Sequence, residues 1–448
     1  MDKRRRWIRE ASCLSICFIG GWGDSSSGPL IPYIQAYYGI SYTVVSMLFV
    51  GQMVGYLVTA LTGGWLSNKL GMGKLMVIGA ALQSFSYAML IPAFSSFAVM
   101  PVMYAIGGVG LGLLSAQCNV FLAAQPKSEI KLSVGMAAYG LGGAVCPLAA
   151  TAFASSGILF ARFWSISLGL ALANTAFLAY SFQFSYRFDT DEPAPPSASL
   201  HRAGEIEMLP QTGPSPAPTI DEQSSVEGKA TATNPSPVEL PNLQTELPTT
   251  RASPQGGSLR EALSNRTTVF CSLFVFLYVG AEVSMGGWIV TFMTENRDGG
   301  PDAGYIASGF WLGLMLGRIL LIPLNARLGE QNVIYLYTGL ALALEFSVWF
   351  ARNLVGNAVV VAFIGLLLGP SYPILVSVVT KILPRRLHSY CISFIAAFGQ
   401  TGSAVFPFIT GALAQKFSPV ALHPVLVVLF AAQIAAWAGV PRLGRKKE

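Results

Sequence analysis

The chain has 448 residues, of which 53% are hydrophobic and only 11% charged, at a mean hydropathy of +0.54. Water-soluble domains carry about a quarter charged residues, so the composition excludes an ordinary soluble enzyme or a nucleic-acid-binding domain. The net charge of +6 hides a contrast: residues 187–264 hold 12 of the 27 prolines and 11 of the 22 acids, and the remaining chain is almost continuously apolar. A bilayer-spanning helix needs about 20 apolar residues, so with turns the remainder supplies about twelve spans. An outer-membrane barrel is excluded, since its strands would be about 10 residues long and alternating.

In chain order the apolar runs stand at 11–34, 43–66, 74–93, 98–122, 133–157, 162–184, 266–294, 303–326, 330–350, 355–380, 387–412 and 420–440. The first follows Met1-Asp-Lys-Arg-Arg-Arg. It is too long for a signal peptide and lacks a small-residue cleavage pattern, so it reads as a retained first helix. Basic residues of short loops set orientation. With both termini in the cytoplasm, seventeen Lys and Arg, from Lys3 to Lys447, fall inside and only Arg162, Arg297, Arg352 and Lys416 outside. The expectation is therefore a multi-pass plasma-membrane protein with both ends cytoplasmic.

The chain divides into an N-terminal half at 1–186, a polar segment at 187–264 and a C-terminal half at 265–448. The middle segment is rich in Pro, Ser, Thr and Glu, and low in aromatics. Such a chain cannot bury enough apolar surface to order itself, and a disordered cytoplasmic linker is expected. The halves read as copies. Asp24 and Glu282 are 258 apart, as are Gly28 and Gly286, Lys69 and Arg327, Gly71 and Gly329, and Gly107 and Gly365. A register of 260 matches Gly142 with Gly402 and Pro147 with Pro407. Two parallel six-helix repeats around a midplane site are an architecture of secondary transporters.

The turn after the second run reads Gly64-Trp-Leu-Ser-Asn68-Lys69-Leu-Gly71-Met-Gly73-Lys74. It resembles the cytoplasmic signature of the major facilitator superfamily, a Gly, then Asp or Asn four later, a base and a second Gly. The mirror turn keeps Arg327 and Gly329 but carries Ala326 in place of the amide. The resemblance implies an all-α membrane fold of twelve helices in two pseudo-symmetric bundles, with Asn68, Lys69 and Arg327 as gating residues while the halves rock. Helix one, Gly20-Gly-Trp-Gly-Asp24-Ser-Ser-Ser-Gly28-Pro29, and helix seven, Gly280-Ala-Glu282-Val-Ser-Met-Gly-Gly287-Trp288, are similar to the fucose–proton symporter-like branch, including fungal members. That resemblance implies sugar–cation symport with Asp24 as the proton carrier. On helix four the branch's second carboxylate is replaced by amides, Gln117 and Asn119, which leaves the coupling ion open.

Read from the residues alone, Asp24 lies about 20 Å of helix beyond the inner edge of its span. An acid at such depth is costly and is a functional candidate by default; its bland alternative is a structural acceptor for neighbouring hydroxyls. Gly28, Pro29 and Pro32 weaken the helix just beyond it. Glu282 is the matching acid of the second half, a proton site or substrate acceptor against a plain interhelical hydrogen bond. Arg318 either snorkels or gates by pairing with an acid. Glu345, near the end of its span, is expected to be wetted by the interface. A sugar needs aromatic faces and amides, and Trp22, Gln117, Asn119, Trp288 and Gln400 are the substrate-binding candidates. Gln52, Tyr33, Tyr56, Trp311, Tyr139 and Tyr372 are further groups at suitable depth, although Trp and Tyr also populate membrane interfaces.

The six cysteines lie inside apolar runs without metal spacing and read as small buried side chains. No phosphate-cradling loop, nucleophile elbow or metal-ligand spacing is present, so neither an enzyme nor a cofactor is expected. The partners expected are a sugar-like solute, H+ and the bilayer, with the chain a monomer. A proton-driven exporter of amphipathic compounds, a facilitative uniporter and a non-transporting nutrient receptor of the same fold stay open as alternatives.

Overall fold

The computed structural model describes residues 3–126, 128–183, 265–384 and 387–442; the expected linker at 187–264 lies outside them. Among the described residues every regular element is helical. The first rod is α1 (Lys3–Ser25) continued by α2 (Ser27–Tyr38), and the second is α3 (Tyr42–Val45) continued by α4 (Met47–Leu70). Four more follow: α5 (Met72–Leu90), α6 (Val99–Ala123), α7 (Ser128–Ser155) and α8 (Phe163–Phe182). The second set opens with α9 (Arg266–Asn296), then α10 (Tyr305–Leu320) with its short extension α11 (Ile322–Leu328), and α12 (Glu330–Phe350). It closes with α13 (Leu354–Leu368) continued by α14 (Ser371–Ile382), α15 (His388–Phe417) and α16 (Leu422–Ala438). Joined across their breaks these make twelve rods. Nine described segments are long and apolar enough to cross a membrane by length and composition.

The breaks follow from proline chemistry. Pro29 cannot donate to the carbonyl four residues back and its ring crowds it, so the first rod parts at Ser26, just beyond Asp24. In the tenth rod Pro370 and Pro373 part α13 from α14 and leave the Gly369 carbonyl without its helical donor. The corresponding rod of the second set, α9, has no proline and runs unbroken for 31 residues.

The internal repeat has a physical counterpart. Gly71 and Gly329 end the second and eighth rods at φ of +80° and +84°, a region open to glycine at no steric cost. Gly142 and Gly402 mark equivalent close helix crossings. A Cβ on Gly142 would sit 1.9 Å from the Phe18 carbonyl oxygen, and one on Gly402 would sit 2.1 Å from that of Phe276. Small residues allow such backbone approach in membrane bundles.

Both sets of rods lie in one compact unit. An even number of antiparallel rods brings Lys3 and Ala438 to one end of the bundle, the terminal end; the other is the distal end. At the distal end contacts cross between the sets. The Tyr42 hydroxyl donates to the Glu295 carboxylate, and the Tyr42 backbone N–H donates to Gln415 Oε1 at 3.0 Å. Phe49 packs on Gly287, Ser46 on Gly411 and Thr151 on Gly304. Among the described residues the ion pairs at the terminal end stay within one set, such as Lys131 with Glu10 in the first and Lys381 with Glu330 at 2.6 Å in the second.

Glu345 is not wetted. Its side chain is 0% exposed and its Oε1 meets His423 Nδ1 at 2.6 Å, between α12 and α16. Phe292 meets the imidazole edge-on at 4.2 Å between centroids, and Trp349 covers it. Partnering by a histidine 78 positions on lets the acid sit in the apolar layer.

Candidate functional site

Asp24 stands near the end of α1, half-buried, and receives three donors. Gln52 Nε2 donates to Oδ1 at 2.5 Å and the Tyr56 hydroxyl to the same oxygen at 3.3 Å. The Tyr139 hydroxyl donates to Oδ2 at 2.7 Å. Gln52 and Tyr56 are four residues apart, so α4 presents both on one face; Tyr139 comes from α7. The three donors satisfy the carboxylate oxygens, and the hydroxyl and amide partners can also accept from a protonated acid.

The same tyrosine leads across to the second set. The Arg318 guanidinium lies 5.9 Å from the centroid of the Tyr139 ring, and Trp311 meets that ring edge-on at 6.4 Å. Arg318 donates from Nη1 to the Met136 carbonyl at 3.2 Å and from Nε to the Gly369 carbonyl at 3.4 Å. The first acceptor belongs to α7 and the second is the carbonyl freed by Pro373. One guanidinium therefore ties both sets of helices together. Glu282, buried on α9, has Arg318, Tyr278 and Asp24 as its electrostatic neighbours. Tyr139 in turn lies in the field of both acids. The result is a chain of ionisable groups, Asp24, Tyr139, Arg318 and Glu282, running from one bundle to the other.

The other candidates do not gather there. Trp22 turns the opposite way: its Nε1 donates to Ser167 Oγ at 2.9 Å and its ring stacks on Phe163 at 5.7 Å, inside the first bundle. Its side chain thus forms part of the α1–α8 contact rather than joining the groups around Asp24. Trp288 is 1% exposed, donates to the Pro407 carbonyl at 3.0 Å and packs against Tyr42 near the distal seam. Gln117 is buried and accepts from Ser67 Oγ at 3.2 Å, which joins α6 to α4. Asn119 is exposed at the terminal end of α6, and Gln400 is half-buried on α15. Asn68, Lys69 and Arg327 lie exposed at the terminal-end turns, with the Lys69 ammonium 4.9 Å from the centroid of the Trp65 ring.

Sequence reasoning missed Tyr278, one helical turn before Glu282, and the Tyr42–Glu295 contact altogether. Gln52, Tyr56 and Tyr139 stood among the available polar groups, but nothing in the sequence marked Asp24 as their common acceptor. The Gln52/Tyr56 spacing was the one usable signal.

Twelve apolar rods in two like bundles, with polar and ionisable groups at their junction, are an architecture of secondary transporters. A family model described as Major Facilitator Superfamily matches residues 13–407. Bypass of stop codon protein 6 of Saccharomyces cerevisiae is 27% identical over 422 residues, covering 91% of this chain and 77% of that protein. A glucose/galactose transporter of Brucella abortus is 29% identical over 185 residues, 39% of this chain and 42% of that protein. The crystal structure of the E. coli fucose:proton symporter FucP aligns at a TM-score of 0.58 and 16% identity, covering 98% of this chain and 100% of that one. The chain belongs to the major facilitator superfamily: it is a multi-pass membrane transporter and not an enzyme.

Proposed function

We propose that this transporter carries a sugar or a similar polyol together with a proton, importing it by alternating access. The observation that carries the reading is Asp24: an acid within an apolar rod, half-buried, held by three neutral donors and in the electrostatic field of Glu282 of the opposite bundle, which Arg318 also neighbours. Neutral partners that can reverse donor and acceptor roles suit a group that gains and loses a proton. Similarity to a glucose/galactose transporter and, in fold, to a fucose:proton symporter supports the solute class.

In this account Asp24 loads the proton, Glu282 is the second acid, and Arg318 balances Glu282 while clamping the bundles. Gln400 and Asn119 are solute contacts, reached when the halves move; Gln117, Trp22 and Trp288 hold helices in register. Residues 1–186 and 265–448 are the two moving halves, joined by 187–264. The excess of Lys and Arg at the terminal end supports a cytoplasmic location for that end, and we read the membrane as the plasma membrane. With its distal contacts made, the molecule is then closed toward the outside, and Asn68, Lys69 and Arg327 sit at the inner gate, ready to engage when the inside closes.

Reconstituted liposomes loaded with a pH-sensitive dye, challenged with a panel of hexoses, pentoses and polyols, test this reading. A saturable solute must acidify the lumen as it enters. Saturable entry with constant internal pH would make the protein a uniporter, and drug-stimulated proton counterflow without sugar entry would make it an exporter.

A further inference from the structure

A cavity lined only by residues of the first bundle, among them Gly23 and Gln52, lies beside the Asp24 site. About 30 Å³ of it is open to the centre of a water-sized sphere, and its walls include Gly23, Gln52, Gln83, Tyr87, Tyr104 and Trp164. Two of these carry a buried polar atom that has no protein partner: the acceptor Gln83 Oε1 and the donor Trp164 Nε1. Both residues are almost completely buried, at 2% and 1% exposure. An unpaired buried polar atom is destabilising, and this site would carry two of them side by side.

The dimensions select the occupant. A water needs roughly 10–15 Å³, so the space holds about two or three waters at most and no sugar. No acidic side chain lines it, and a bare cation taken from water would meet only neutral groups there. Water alone can donate to Gln83 Oε1 and accept from Trp164 Nε1 at once.

We infer that this cavity is a fixed water site that serves the Gln52 amide. The inference deepens the reading of Asp24 as the proton carrier and rests on it for its functional part. Gln52 lines the cavity and also donates to Asp24 Oδ1 at 2.5 Å. An ionised Asp24 takes the NH2 end of that amide; a protonated one can donate its O–H to the carbonyl end instead. A rigid donor or acceptor behind Gln52 would favour one orientation, whereas water serves both by reversing its own role. The site thus lets the amide follow the protonation state of Asp24 without a buried group being left unpaired.

Radiolytic hydroxyl labelling of the full-length protein in lipid nanodiscs tests the site directly, because a bound water generates the radical next to its neighbours. Trp164, Tyr87 and Tyr104 are buried, so bulk radicals do not reach them. The expected result is labelling of Trp164 well above that of the equally buried Trp437, with label exchanging from H2(18)O. Gly107 borders the cavity, and a Cβ there would approach only Ser86, at 3.0 Å from its Oγ. Gly107→Val should fill the space and drop Trp164 to the Trp437 rate, and Gln83→Leu, which adds little bulk, should lower it as well. Labelling of Trp164 no faster than Trp437 in the unmodified protein overturns the water site, whatever the transport assays give. Loss of Trp164 labelling together with an unchanged uptake–pH profile in Gly107→Val and Gln83→Leu would remove its link to Asp24. A sugar panel with no proton flux, beside strong Trp164 labelling, would instead strike the transport reading and leave the water.

Discussion

Tyr42→Phe is the perturbation that most cleanly separates the closed distal seam from the rest of the fold. The phenol reaches Glu295 from the other bundle, while its backbone N–H holds Gln415 at 3.0 Å and its ring packs on Trp288 at 6.0 Å. Phenylalanine keeps the backbone bond and the ring contact and deletes only the hydroxyl. A hydrogen bond to a charged group contributes about 1.5–3 kcal/mol, but Glu295 is exposed and Tyr42 half-buried, so water screens part of it. A net contribution of about 1 kcal/mol, present only while the distal end is closed, corresponds to a roughly fivefold change in the closed-to-open ratio. Spin labels at the exposed positions Ser95 and Arg352 report the distal opening between the bundles by pulsed electron resonance. The longer distance should gain population in Tyr42→Phe by about that factor. Identical distance distributions in the two proteins would refute the assignment of this contact as a state-specific latch.

Two further outcomes follow from the buried groups. His423→Leu leaves Glu345 uncompensated in a dry site and should cost about 3–5 kcal/mol of stability, read as earlier thermal unfolding of the detergent-solubilised protein; Glu345→Leu combined with His423→Leu should recover most of it, and equal losses in the single and double variants would contradict the pairing. Arg318→Lys keeps the charge but cannot reach the Met136 and Gly369 carbonyls with one planar fork. Polar contacts within membranes average about 0.6 and reach about 1.7 kcal/mol, so the initial uptake rate should fall roughly threefold to twentyfold, and an unaltered rate would show that the clamp has no part in turnover.

The parts of this molecule that could be read in advance are those written along the chain. Deep placement of Asp24, the proline break beside it, and the repeat that returns as matching φ values at Gly71 and Gly329 all depend on sequence distance alone. Rotation about a helix axis does not. In water one apolar stripe reveals the buried face, but a rod whose every side is apolar carries no such mark. Trp22 was therefore placed at the centre and is found facing Ser167 and Phe163, while Tyr139, equally ambiguous by residue type, is found on Asp24. Pairings such as Glu345 with His423 join residues on different rods, and charge near a span's end reads as interfacial until its partner is known.

The direct test of the central claim is proton movement with Asp24→Asn in liposomes. The amide preserves size and can keep contacts with Gln52, Tyr56 and Tyr139, but it cannot be protonated. The account predicts that solute exchange between equal pools continues while solute-driven lumenal acidification and uphill accumulation both disappear. Acidification that persists at its original rate and stoichiometry in Asp24→Asn would contradict it, and would move the carrier role to another group.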